Sequence, residues 1–255
     1  SNVRPFSQLK NIAKGKDALF FCPGPGLKLG LEKLKSLSPE ERENYFLVAV
    51  NSALKPFIES QIQLDAIVCI ESLDVSAYFE NWSDYENPFL VVPHFVNPKI
   101  AKLPFKKIVV CQTKESHFIL PDAALKQEEI MDNGPTVATM GMGLCEQMGF
   151  NNVFLAGLDL CFEEDKIYSE STMAGSLRLK KDEEGRVVLN QFEGSRKHYK
   201  NVFGKENSET IFEEGEDLGE TKFTFDYDDV KRRTVLPMIR KIGIDSRYRI
   251  IQQVR

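Results

Sequence analysis

The feature that most restricts how this chain can fold is a short apolar run that keeps returning and each time stops at a turning or polar residue. Asp17–Cys22 runs into Pro23-Gly24-Pro25-Gly26, Phe46–Val50 into Asn51-Ser52, and Ala66–Ile70 into Glu71. Phe89–Val92 and Lys107–Cys111 add two more runs, and Val153–Ala156 ends at Gly157-Leu158-Asp159. The runs have the length of buried strands, and they alternate with helical or loop segments of modest length. That alternation indicates a doubly wound, mainly parallel sheet. Helical spacing fills the gaps, with Leu27, Leu31, Leu34 and Leu37 in one segment and Val137, Met140, Leu144 and Met148 in another. The expected fold class is therefore α/β, a Rossmann-like, mainly parallel doubly wound sheet. One domain over residues 1–255 is expected, with a lid or insertion at about 162–229, where the texture turns polar and charged.

Smaller elements follow from the same reading. Phe6, Leu9 and Ile12, at helical spacing, predict an entry helix or arm over residues 1–16. Residues 177–190 read as a charged hairpin turning at Glu183-Glu184-Gly185, Val230–Ile242 as a closing helix, and Ile244–Ile251 as a last strand. A chain of 255 residues with 42% hydrophobic and 28% charged residues can bury a substantial core. It has no run long enough to span a bilayer, and no signal peptide is read at its start. A net charge of −5 argues against nucleic acid as a general partner. Cys22, Cys69, Cys111 and Cys145 lie in or beside apolar runs, and Cys161 makes an odd fifth without zinc-site spacing. They read as small hydrophobes in a reducing compartment, and the expected location is cytoplasmic.

The candidate site residues sit where strands end. The stretch from Asn133-Gly134-Pro135-Thr136 to Asp159 joins a loop, a helix start, a helix closed by Gly149 and a strand ending at Gly157 and Asp159. Unpaired N–H groups at a helix start favour an anion, so the stretch reads as half of a phosphate-sugar site. The Pro23–Gly26 turn after the first strand lacks the dinucleotide glycine fingerprint and the phosphate-binding lysine-serine pair. It is either a tight turn or a close approach to a phosphate or ribose. Asn51 has two readings as well: a donor-acceptor for a base edge or ribose, or the cap of the next helix.

The order of these motifs (strand-PGPGL, strand-Asn51-Ser52, GPTVATMGMGLCEQMGFNNVFLAGLDL) resembles the motility-accessory-factor flagellin glycosyltransferases. It is also similar to the bacterial CMP-sialic-acid-dependent sialyltransferases. The resemblance covers roughly residues 17–71 and 130–170. It implies a CMP-activated nonulosonic acid (sialic, pseudaminic or legionaminic type) as donor, with no obligatory metal. A protein hydroxyl, as on flagellin, or a glycan is the implied acceptor, and a homo-oligomer is compatible with it. Carried over, Gly24, Pro25 and Gly26 would pass under the nucleotide and Asn51 would face ribose or phosphate. Asn133, Gly134, Pro135 and Thr136 would hold the cytidine monophosphate, with Glu71, Gly157 and Asp159 lying against it at strand ends. Tyr168 falls where the sialyltransferases have a tyrosine on the leaving phosphate. The chain departs from their pattern at Pro23, where an asparagine contacts the nucleotide, at Gly26 for serine, and at Cys161 for a second tyrosine. Glu71 stands where motility-factor relatives favour aspartate.

Transfer from a CMP-sugar needs a base for the acceptor hydroxyl, and histidine suits that role near neutral pH. Of His94, His117 and His198, the last lies in Ser195-Arg196-Lys197-His198-Tyr199, comparable to a His-Tyr segment of the sialyltransferases. It is the expected base; the other reading is a solvated histidine on a basic turn. Arg196 and Lys197 read as phosphate contacts or as a solvated face. Asp226-Tyr227-Asp228-Asp229 reads as acidic capping of the closing helix rather than a metal motif. Two alternatives stand beside glycosyl transfer. One is an ATP-dependent diphosphotransfer to a pterin, an activity assigned to archaeal relatives of the motility factors, which would use Glu71, Asp74 and Asp159 with magnesium. The other is a non-catalytic nucleotide-sugar-binding module.

Overall fold

The apolar runs become parallel strands in a computed structural model, which describes residues 3–113, 121, 124–131, 136–159, 166, 168–176, 178–181, 187–190 and 248–250. In chain order the described elements begin with β1 (Val3–Pro5), β2 (Asp17–Phe21), α1 (Leu27–Ser36), α2 (Pro39–Arg42) and β3 (Tyr45–Val50). They continue with α3 (Lys55–Glu59), β4 (Ala66–Val68), β5 (Phe89–Pro93), α4 (Pro98–Ala101) and β6 (Lys107–Thr113). After β7 (Ile130–Met131) come α5 (Val137–Met148), β8 (Val153–Ala156), the pair β9 (Arg178–Lys181) and β10 (Val187–Asn190), and β11 (Tyr248–Ile250). The main sheet runs β1-β6-β5-β4-β3-β2-β8-β11, with β7 also on β6, and every pairing in it is parallel. The α/β, doubly wound, Rossmann-like arrangement expected above is the observed one.

Both faces of the central strands are covered, as their unbroken hydrophobicity requires. Phe20 and Phe21 are both fully buried neighbours on β2, so they point to opposite faces. On one face the Phe20 ring meets α5 at Gly141, where an added Cβ would lie 2.2 Å from it. On the other, α1 rests Gly30 on Ala156 of β8 at the same close approach, and Phe21 meets Phe57 of α3 edge-on at 5.0 Å. Each buried phenylalanine contributes about 1.5–3 kcal/mol. The helices therefore lie on two layers, and glycine is what lets the α1 and α5 axes come near the sheet.

Helix α5 forms as its local signals dictate. The Thr136 hydroxyl accepts the Thr139 N–H at 3.2 Å while the Thr139 hydroxyl accepts the Thr136 N–H at 3.1 Å, a reciprocal cap of the first turn. Gly149 ends the helix at φ +78°, the left-handed conformation expected of it. The last carbonyls are taken by the N-terminal arm: Asn11 and Ala13 donate their N–H groups to Gln147 and Met148. Asn151 and Asn152 then bond to Lys16 and Asp17, so α5 ends beside the start of β2. A helix of this length runs roughly 18 Å, which returns Thr136 to the opposite, carboxyl edge of the sheet.

The entry segment is an arm and not a helix: Val3–Pro5 is an exposed strand on the outer edge of β6, followed by a 3-10 turn over Phe6–Leu9. Pro5 offers no N–H to continue a ladder, and β7 takes over the same edge of β6 at Gln112 and Thr113. Phe6 and Leu9 are buried, but Ile12 is 49% exposed. A spacing of three aligns residues in a 3-10 turn as well as in an α-helix, which is why the pattern fits both. The hairpin over 177–190 is present as antiparallel β9 and β10, and the expected last strand is β11. The closing helix over 230–242 lies outside the described residues. Cys22, Cys69, Cys111 and Cys145 are buried and free, as expected of small hydrophobes. No helix among the described residues is long and apolar enough to cross a membrane.

Candidate functional site

The chain winds outward from β2 through β3, β4, β5 and β6, then returns to place β8 on the other side of β2. Strand order therefore reverses between β2 and β8, and in open parallel sheets ligands bind outside the carboxyl ends of the strands at such a point. The Pro23–Gly26 turn and the Gly157–Asp159 loop meet there. Gly24 donates its N–H to the Gly157 carbonyl at 2.8 Å, and Gly26 donates to the Asp159 carboxylate at 2.9 Å. A Cβ on Gly24 or Gly26 would lie 2.3 or 2.4 Å from that carboxylate, so only glycine admits the approach. Gly157, at φ +73°, would bring a Cβ to 2.0 Å from the Cys22 carbonyl. These glycines serve the contact between two protein loops, and the two N–H groups of the turn already have protein acceptors. Burial pushes the Cys22 thiol well up, and the nearby Asp159 and Cys145 add to it.

Next to the turn, at the carboxyl end of β3, stands Asn51. It is 1% exposed, and its Oδ1 finds no hydrogen-bond partner among the described residues. It does not cap the turn that it begins. Leaving a buried amide oxygen unpaired costs about 1–3 kcal/mol.

One strand further, the loop after β4 is held by a backbone bond and by side chains. Asn97 donates its N–H to the Glu71 carbonyl at 2.9 Å and its side-chain amide to the Ser72 carbonyl at 3.1 Å. Asp74 is bonded by Lys99 and by the Ser76 N–H and hydroxyl, which hold its carboxyl down at about 2. Tyr78 lies in the same loop, 9% exposed; burial raises its hydroxyl pKa, and the neighbouring Tyr168 and Glu71 raise it further. At the end of β5, His94 stacks edge-on against Phe95 at 5.2 Å, and burial lowers its pKa.

Of the residues expected at the site, the fold brings Gly24, Pro25, Gly26, Asn51, Glu71, Thr136, Gly157 and Asp159 to the carboxyl edge. Tyr168 joins them through its neighbour, because Ser169 donates its N–H to the Pro23 carbonyl at 2.8 Å. Thr136 is engaged in the α5 cap, and Asp159 braces the first turn. Asn133, Gly134, Pro135, Cys161, Arg196, Lys197, His198 and Asp226–Asp229 lie outside the described residues, as does His117. Sequence reasoning missed Tyr78 and Ser169. Nothing in the local pattern of either one marks it, since the loop it faces is distant in sequence.

Among the described residues, no three His, Cys, Asp or Glu side chains converge to hold a metal ion. Fold and site together define an α/β protein whose candidate ligand cleft lies at a topological switch point. Residues 1–165 match the family described as 6-hydroxymethylpterin diphosphokinase MptE-like, and the chain belongs to that family, which is shared with the motility accessory factors. It is 35% identical over 80 residues to a 6-hydroxymethyl-7,8-dihydropterin pyrophosphokinase from Methanocaldococcus jannaschii, a match that covers 31% of this chain and 33% of that protein. The solved structure of a MAf glycosyltransferase from Magnetospirillum magneticum AMB-1 matches 78% of this chain and 33% of its own length, at 17% identity and TM-score 0.49. The chain thus spans about a third of each of these relatives.

Proposed function

We propose that this chain is a nucleotide-dependent transferase that moves a nonulosonic sugar from a CMP-activated donor to a protein or glycan hydroxyl. The observation that carries the reading is Asn51: a buried amide with an unpaired oxygen, beside the strand-order reversal, is a group that a bound ligand completes. Tyr168 and Tyr78, neighbours at the same edge, would offer hydroxyls to a leaving phosphate. In this reaction the acceptor oxygen bonds to the anomeric carbon, the bond from that carbon to the phosphate oxygen breaks, and CMP departs with the electron pair. The acceptor proton passes to a base, for which His198 is our candidate. No metal is needed to stabilise CMP as it leaves.

Diphosphoryl transfer from ATP to a pterin is the second reading, supported by the family's description and by the name of the archaeal relative. That chemistry uses a magnesium ion shared between phosphates and carboxylates. Glu71, Asp74 and Asp159 are the strand-end acids, but Lys99 and Ser76 engage Asp74 and Gly26 engages Asp159. As arranged, these residues do not fit a shared ion. Thermal-shift titration separates the readings: stabilisation by CMP without metal supports glycosyl transfer, and stabilisation by ATP only with magnesium supports diphosphoryl transfer. A His198→Ala variant with unimpaired transfer would remove His198 as the base.

A further inference from the structure

We infer that Lys166, residues 168–176 and Arg178 form a closed clamp that sets Tyr168 against the β2 turn, with Ser169 and Thr172 as its positioning residues. The role given to Tyr168 rests on the proposed function; the clamp itself rests on geometry. Its ends are joined by an antiparallel bridge between Lys166 and Arg178. Arg178 also donates to the Gly175 carbonyl at 2.5 Å and to the Glu170 carboxylate at 3.2 Å, and Lys166 pairs with Glu170 at 3.3 Å.

Inside the loop the Ser169 carbonyl accepts both the N–H and the hydroxyl of Thr172, at 3.0 and 2.8 Å. The Ser169 and Ser171 hydroxyls share a hydrogen at 3.0 Å. A Cβ on Gly175 would come within 2.5 Å of the Ser169 and Glu170 carbonyl oxygens, so the loop closes tightly on itself. Ser169 and Thr172 are 5% and 3% exposed, and two hydroxyls are buried like this only when they are bonded.

The clamp docks through a backbone bond, from the Ser169 N–H to the Pro23 carbonyl. Pro23 has no N–H to offer a nucleotide; its carbonyl, the acceptor that every residue carries, anchors the residue next to Tyr168. A tyrosine whose neighbour is fixed in the absence of ligand loses less freedom when a ligand arrives.

The test is amide hydrogen exchange on the unliganded full chain, comparing paired variants at each positioning residue. Ser169→Pro removes the docking donor, whereas Ser169→Ala keeps it; Thr172→Val removes the internal hydroxyl bond, whereas Thr172→Ser keeps it. Ser169→Pro and Thr172→Val should raise exchange about fivefold or more across 168–176 and at Gly24, Gly26 and Leu27, with the conservative variants near wild type. Unchanged exchange at Gly24, Gly26 and Leu27 in both disruptive variants overturns the clamp. If Ser169→Pro fails to fold, the Thr172 pair decides alone. A second readout is CMP affinity: losses from Thr172→Val and Tyr168→Phe that fail to add support positioning through Tyr168, and losses that add in full overturn it. Wild-type protein that binds neither CMP nor ATP sinks the proposed function and leaves the exchange result to judge the clamp.

Discussion

Two loop pairs along the same sheet edge are built by different means. Where the β2 turn meets the β8 loop, Gly24, Gly26 and Gly157 admit an approach that no Cβ allows, and the half-buried Asp159 carboxylate accepts the Gly26 N–H within it. Where the β4 loop meets the β5 loop, one backbone bond from Asn97 to Glu71 is joined by side chains that reach across, and the Lys99–Asp74 pair lies in solvent with side chains 68% and 36% exposed. The first junction is rigid and specific, because each contact uses a main-chain group that cannot move away. The second tolerates change, because water and salt replace its ion pair at little cost. The two acids therefore have different fates: Asp159 is a structural brace, and Asp74 is a surface tie.

The largest expected effect is at Gly157. Gly157→Ala combines a positive φ with a Cβ clash on the Cys22 carbonyl, and urea unfolding should show a loss of about 3 kcal/mol or more. A loss under about 1 kcal/mol would mean that the two loops part easily, and the contrast would collapse. Asp159→Ala should come next, at about 1–3 kcal/mol, because the Gly26 N–H loses its acceptor inside a closed contact. A matching loss from Asp74→Ala would break the comparison as surely.

Asn51→Leu sharpens it from the functional side. Removing a buried amide whose Oδ1 has no partner among the described residues should leave stability unchanged or raise it by about 1 kcal/mol, while CMP affinity falls about tenfold or more by calorimetry. Reduced stability with normal affinity would mark Asn51 as a structural residue.

The smallest effect belongs to the exposed pair. Lys99→Ala should change stability by no more than about 0.5 kcal/mol, and less in high salt. Because the Asp74 carboxyl is held below its ordinary value, the pair's contribution is present above about pH 4 and fades as pH falls through about 2. Urea unfolding of wild type and Asp74→Asn between those limits should converge at the acid end. A difference that grows on acidification would reverse the sign and refute the assignment.

Much of this molecule was encoded locally. Unbroken apolar runs imply parallel strands because only strands covered on both faces dispense with a polar side. Thr136 and Gly149 marked the ends of α5 because cap and left-handed stop each act within one helical turn. The choice between entry helix and arm lay beyond the same locality: a spacing of three is shared by two helix types, and Pro5 and the edge of β6 decided for the arm.

What the amino-acid order by itself determined was therefore the class of fold, the strand ends where chemistry can sit, and the limits of the best-capped helix. Only the tertiary structure decided which group each strand end would meet. Gly26 finds Asp159 across 133 positions. Pro23 finds Ser169, and Asn51 is left with a bare oxygen among the described residues. A pattern read over a few neighbours carries no information about partners that only the winding of the sheet brings together.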